Sequence, residues 1–232
     1  MISFVIPAHN ESRLLAATLQ ALRDAARTVA EPFEVIVVDD ASDDGTAQVA
    51  ADNGAQVLQV EHRHIAATRN AGAAMATGEW LVFVDADTLI DATVLGAAVG
   101  ALRGGAAGGG ARVQMQGEVP WHVRAATAFF AWAFRLTGIA PGCFLFCTRA
   151  AFDAAGGFNQ AFYAGEDVAL SRSLALKGRF VILREAVHTS ARKLHTFSMW
   201  EHLKLVLRFA WRRQHLLTSR EHLDLWYGKR RD

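Results

Sequence analysis

A chain of 232 residues, 52% hydrophobic and 20% charged, suits one α/β domain, alone or with a helical appendage, and can bury a sizeable core without disulfide or metal staples. The net charge of +1 is unevenly spread: from Arg192 to the end there are ten Lys or Arg against four Asp or Glu, which suggests an anionic partner for that tail only. Cys143 and Cys147 have no metal-finger spacing; they lie four apart in an apolar stretch read as a strand, so both are expected on one side of it as buried thiols.

Ile2 to Ile6 is a continuous apolar run and the first predicted strand. It follows Met1 with no basic region or small-residue cleavage site, so no signal peptide is expected and a reducing cytoplasm is the default compartment. Asn10 is placed as the cap of a helix whose Leu14, Leu15, Leu19 and Leu22 keep helical spacing. Val35 to Val38 is the second strand, and Ser42-Asp43-Asp44-Gly45 opens a short helix stopped at Asn53-Gly54. Val57 to Val60, a small-residue helix from Ile65 to Ala76 and Leu81 to Val84 complete the alternation. Apolar strands separated by helices indicate a mostly parallel central sheet covered on both faces.

Beyond Arg103 the run Gly104 to Gly110 reads as a flexible loop, lacking the lysine and hydroxyl of a P-loop. Strands are expected at Arg112 to Gln116 and Gly142 to Thr148, with an aromatic-rich helix at Val123 to Leu136 between them. Arg135, Gly138, Pro141 and Gly142 interrupt the longest apolar stretch, leaving pieces too short to span a bilayer. A turn at Gly156-Gly157-Phe158, a helix from Glu166 to Leu176, a strand at Phe180 to Leu183 and another at Ala186 to Thr189 follow. The tail beyond reads as a long amphipathic helix and a shorter one. Trp200, Leu203, Leu207, Ala210 and Trp211 line one face, suited either to an anionic membrane surface or to packing on the domain or a second copy.

Ligands of parallel sheets bind outside the carboxyl ends of the strands. His9-Asn10-Glu11, Asp39-Asp40 and Asp85-Ala86-Asp87-Thr88 all fall there, which makes the last tetrad a candidate metal and diphosphate site, a helix cap being the plainer alternative.

Taken together, V-I-P-A-H-N-E at 5–11, V-V-D-D-A-S-D-D-G-T at 37–46, A-T-R-N-A-G at 67–72, F-V-D-A-D at 83–87 and A-G-E-D at 164–167 resemble the family 2 glycosyltransferases. The resemblance covers roughly residues 2–190. It implies a GT-A domain over 1–192, with a nucleotide-binding half (1–103) and an acceptor half (104–192), followed by the basic tail 193–232. It further implies a nucleotide-sugar donor, a UDP-sugar, and Mg²⁺ or Mn²⁺. Pro7, Ala8 and Glu11 become a wall of the nucleoside pocket, and Asp39, an acceptor when ionised, suits a base that presents an N–H. Arg69 becomes a contact to base or diphosphate, with a surface ion pair as its alternative. Asp85 faces sugar or ribose, and Asp87 ligates the metal. His188 either completes the metal shell or is structural; Arg192 either meets the diphosphate or is solvated. By the same likeness Asp167 is the base of an inverting transfer and Glu166 positions it or the acceptor.

The Q-x-x-R-W element of processive members is absent downstream of Asp167, so a single sugar transfer to an undefined acceptor is expected. A nucleotide-sugar-binding protein without turnover is the competing reading, and the intact Glu166-Asp167 pair stands against it. Nothing resembles the glycine-rich loop of a nucleotidyltransferase or a nucleic-acid-binding module, so no nucleic-acid partner is expected. The site of action expected is cytoplasmic, with peripheral contact at the inner face of a membrane as an option for the tail.

Overall fold

The structure, a computed structural model, describes residues 1–116, 140 and 142–190. The first part alternates β1 (Ile2–Ala8), α1 (Ser12–Val29), β2 (Phe33–Asp40), α2 (Thr46–Asp52), β3 (Gln56–Val60), α3 (Ile65–Met75) and β4 (Trp80–Val84). The second contains β5 (Thr88–Leu89), α4 (Ala92–Arg103), β6 (Gly108–Gln116), β7 (Phe144–Thr148), α5 (Arg149–Ala155), α6 (Glu166–Ala175) and β8 (Phe180–Ser190). The strands form one sheet in the order β3-β2-β1-β4-β7-β6-β8-β5. β3, β2, β1 and β4 are parallel; β7 runs antiparallel to both neighbours, β6 and β8 are parallel, and β5 is antiparallel to β8. The mostly parallel α/β sheet expected from the alternation is thus the observed fold.

Strand side chains alternate between faces, and the core divides accordingly. Phe4, Ile6, Val35 and Val37 pack with Leu15, Leu19 and Leu22 of α1 and Val94, Leu95 and Ala98 of α4. Val5, Ile36, Val38 and Phe83 pack on the other face with Ala66 and Ala73 of α3, Phe152 of α5, and Leu170 and Leu174 of α6. Each fully buried Leu contributes about 1.5–3 kcal/mol relative to exposure. In α3 the small residue Gly72 allows close approach, since a Cβ there would lie 2.4 Å from Val5 Cγ1.

Four local expectations require correction. Asn10 does not cap α1: it sits at φ 54°, and its Oδ1 accepts from Asp43 N–H at 2.9 Å, so it ties two loops together instead. The glycine run is not a loop throughout. Gly104 and Gly105 turn the chain after α4, but Gly108, Gly109 and Gly110 are buried members of β6. A Cβ on Gly109 would lie 2.1 Å from the Val181 carbonyl oxygen and 2.5 Å from Phe146 Cζ. Glycine there reflects crowding between strands, not mobility.

The two short strands expected after Gly178 are one, β8, whose pairing with β6 shifts register where Leu183, Arg184 and Glu185 stand opposite the single residue Ala111. The cysteines are free thiols, yet Cys143 lies in the turn before β7 against the α1–α4 side of the core, whereas Cys147 is buried on the opposite side. Their strand periodicity fails because Cys143 is outside the strand.

The helix expected at Val123 to Leu136, Arg192 and the tail 193–232 lie outside the described residues. Among the described residues no helix is long and apolar enough to cross a membrane.

Candidate functional site

Parallel topology brings the ends of β1, β2 and β4 to one rim, where their loops are bonded to one another. His9 Nδ1 lies 2.7 Å from the Asp40 carbonyl oxygen, Asn10 N–H donates to Ser42 Oγ at 2.9 Å, and Glu11 N–H donates to Thr46 Oγ1 at 2.9 Å. Pro7 and Ala8 pair with Val38 and Asp39 across the β1–β2 ladder, which places the expected nucleoside wall beside Asp39. Asp39 is 4% exposed, and its Oδ1 has no hydrogen-bond donor among the described residues. A buried carboxylate oxygen left without a donor is costly, which marks this position as one prepared for a donor from outside the fold.

Asp40, its neighbour in sequence, has the opposite character. It accepts from Arg63 N–H at 2.7 Å, His64 N–H at 3.1 Å and Thr68 Oγ1 at 2.7 Å, and so fastens the loop entering α3. Period-two alternation separates the two acids that the sequence joins.

Arg69, on α3, stands at the centre of the rim. Its Nη1 donates to Glu166 Oε1 at 2.7 Å, and its Nη2 to Asp85 Oδ1 and the Gly142 carbonyl oxygen, both at 2.9 Å. Phe158 lies 5.2 Å beneath the guanidinium carbon. The structure therefore unites three of the expected residues, Arg69, Asp85 and Glu166, in one ion-pair group, and Gly142 joins Asp167 to it. A Cβ on Gly142 would be 2.8 Å from Asp167 Oδ2, so a larger residue there would have to displace the Asp167 carboxylate.

One cation faces three carboxylates here. Burial would lower the Arg69 pKa, but Asp85, Glu166 and Asp167 hold it above its ordinary range. Burial, opposed by Arg69, raises Glu166 to about 7 and raises Asp167 as well. Burial first, then Asp85, Asp87 and Asp167, push the Cys143 thiol up. The end of β4 and the start of α6 approach closely enough for one guanidinium to bridge Asp85 and Glu166.

Asp87 is 7% exposed, accepts from Thr189 Oγ1 at 3.4 Å and receives Ser190 N–H on its carbonyl at 3.3 Å. The β5–β8 ladder sets His188 opposite Leu89, two residues beyond Asp87. Among the described residues no group of three or more His, Cys, Asp or Glu side chains is arranged to hold a metal ion.

Gly142, Phe158, Cys143 and Thr189 are members of this region that sequence reasoning missed. The Pro141-Gly142 pair was a legible turn signal, but nothing local announced that its carbonyl would meet Arg69.

Residues 3–159 match the family model described as Glycosyl transferase family 2. An uncharacterized glycosyltransferase of Mycobacterium tuberculosis is 33% identical over 136 residues, 58% of this chain and 59% of that protein. Glycosyltransferase AglD of Haloferax volcanii is 32% identical over 98 residues, 39% of this chain and 16% of that protein. The chain thus spans less than two thirds of either relative. Among solved structures, Staphylococcus aureus TarS in complex with UDP-GlcNAc matches with a TM-score of 0.65 at 18% identity, covering 97% of this chain and 78% of that one. The mannosyltransferase PcManGT of Pyrobaculum calidifontis, in complex with GDP-Man and Mn²⁺, matches with a TM-score of 0.65 at 19% identity, covering 89% and 64%. At these identities the likeness is one of fold.

Proposed function

The chain belongs to glycosyl transferase family 2, and from that premise we propose that it transfers a single sugar from a UDP-sugar to a hydroxyl acceptor with inversion. The observation that carries the donor reading is Asp39, a buried carboxylate whose Oδ1 lacks a donor among the described residues, at a strand end lined by Pro7 and Ala8. A base edge presenting an N–H supplies the missing partner. Glu11 closes the same wall, and Asp85 faces the ribose or sugar. The nucleotide sugars bound by the two like-folded proteins, GDP-Man and UDP-GlcNAc, support a nucleotide-sugar donor, and the choice of a uracil base rests on Asp39.

Asp167 is the base. Its carboxylate takes the acceptor hydroxyl proton as that oxygen bonds to the anomeric carbon, while the bond to the diphosphate breaks and its electron pair leaves with the phosphate oxygen. Its raised pKa suits the task, since a base that is too weak does not draw the proton. Glu166, held by Arg69, positions the pair.

Divalent ions of the Mg²⁺ type keep several waters and take one or two protein carboxylates plus phosphate oxygens, so a site without three protein ligands is of the expected kind. Asp87 and His188 fit such an ion, as a buried carboxylate in the turn before β5 and an imidazole on β8, the strand that pairs with β5. When bound, Mg²⁺ or Mn²⁺ offsets the charge that builds on the leaving diphosphate.

The test is a thermal-shift panel of UDP-, GDP- and dTDP-sugars with Mn²⁺, followed by nucleoside diphosphate release in wild type and Asp87→Ala. A UDP-sugar is expected to raise the melting temperature by mass action, and release is expected to need both metal and Asp87. No shift with any donor, or release that survives chelator and Asp87→Ala, overturns the reading.

A further inference from the structure

Arg69 makes contacts that a residue reaching for a ligand does not need. Its side chain is 2% exposed, and four segments remote in sequence meet on its one guanidinium: α3, which carries it, the end of β4 through Asp85, the turn before β7 through Gly142, and α6 through Glu166. Phe158 occupies one face of the plane. The planar fork of arginine can serve these acceptors in fixed directions while stacking on a ring, which an ammonium cannot reproduce. Gly142 extends the link: its carbonyl accepts from Arg69, and its N–H bonds Asp167.

We infer that Arg69 is a positioning residue, locking the Asp85 edge of the site to the Glu166-Asp167 turn of α6, and not a contact to the nucleotide. The inference rests on the reading of Glu166-Asp167 as the acceptor-side acids. Without Arg69, the buried Glu166 and the half-buried Asp85 and Asp167 face one another with no cation between them, and either the first turn of α6 opens or the acids bind a proton. Among the described residues, the charged and titratable groups facing the pair are Arg69 from α3, Asp85 from the end of β4 and Cys143 from the turn before β7.

The full chain carrying Arg69→Met or Arg69→Lys tests this by three readouts. Amide hydrogen exchange over residues 164–170 should quicken by roughly tenfold in Arg69→Met, while residues 35–38 keep their protection. UDP affinity in the presence of Mn²⁺ should stay within about threefold of wild type, a change under 1 kcal/mol. The acid limb of the pH profile for donor turnover should move to higher pH in Arg69→Met and return part of the way in Arg69→Lys. Should Arg69→Met not fold, Arg69→Lys carries the same readouts with smaller changes.

Unchanged exchange over 164–170 overturns the inference, as does a loss of UDP affinity with an unmoved pH profile, the mark of a nucleotide contact. Wild-type protein that binds neither UDP nor GDP removes the donor reading alone, and the exchange measurement then decides the role of Arg69.

Discussion

The sheet has two dissimilar halves. From β1 to β4 every strand is parallel, every crossover is a helix, and the polar loops arrive at one rim because parallel strands all end there. From β5 to β8 the directions mix, a glycine strand is squeezed between neighbours, and β8 carries a register shift. The contrast teaches that a polar rim follows from a repeated local pattern. The acid group that faces it depends on single contacts between remote residues, as Arg69 with Asp85 and Glu166 illustrates.

The contrast is broken most directly at Asp167. Asp167→Asn should lower turnover roughly a thousandfold with UDP affinity and melting temperature retained; a modest loss would move the base elsewhere and return the chemistry to the first half.

Next in size, Gly109→Ala should destabilise by about 3 kcal/mol in urea titration, because its Cβ meets backbone and a buried ring. Gly45→Ala, in the first half, has φ +83° and open space around it, so it should cost only about 1 kcal/mol. Equal costs would erase the distinction between a glycine needed for crowding and one needed for its dihedral.

A pH series sharpens the comparison further. Glu166 is raised from 4.5 to about 7, so the folded chain holds a proton that the unfolded chain releases. Its contribution to stability is therefore full below 4.5 and is lost as pH rises through about 7, the reverse of an ordinary paired carboxylate. Urea midpoints should fall across that window and flatten in Glu166→Gln, while turnover climbs as the acid pair ionises. The smallest effect concerns the first half: Asp39→Ala should weaken UDP binding about tenfold without loss of stability, since it removes a buried acceptor that lacks a donor.

Much of the first half was legible because its signals are local. Phe4, Val5 and Ile6 are apolar on both faces, Leu15, Leu19 and Leu22 keep helical spacing, and both patterns survive in the fold. Asp39 and Asp40 were legible as acids at a strand end, but not their division of labour, because alternation sends one to the prepared position and the other to the α3 loop. Gly108 to Gly110 escape that reading for a related reason: composition reports what a backbone is free to do, and cannot distinguish mobility from a neighbour that would stand 2.1 Å from an added Cβ.

The sequence by itself determined the α/β alternation, the rim on which the polar strings converge and the family they belong to, since periodicity and motif order are properties of the chain. Only the tertiary structure decided which of those polar groups touch. Arg69 is separated from Glu166 by 97 positions and from Gly142 by 73, and their meeting depends on how α3, α6 and the turn before β7 pack across one sheet. Local propensity carries no information about a partner so remote, whereas burial makes that partner obligatory once the helices have packed.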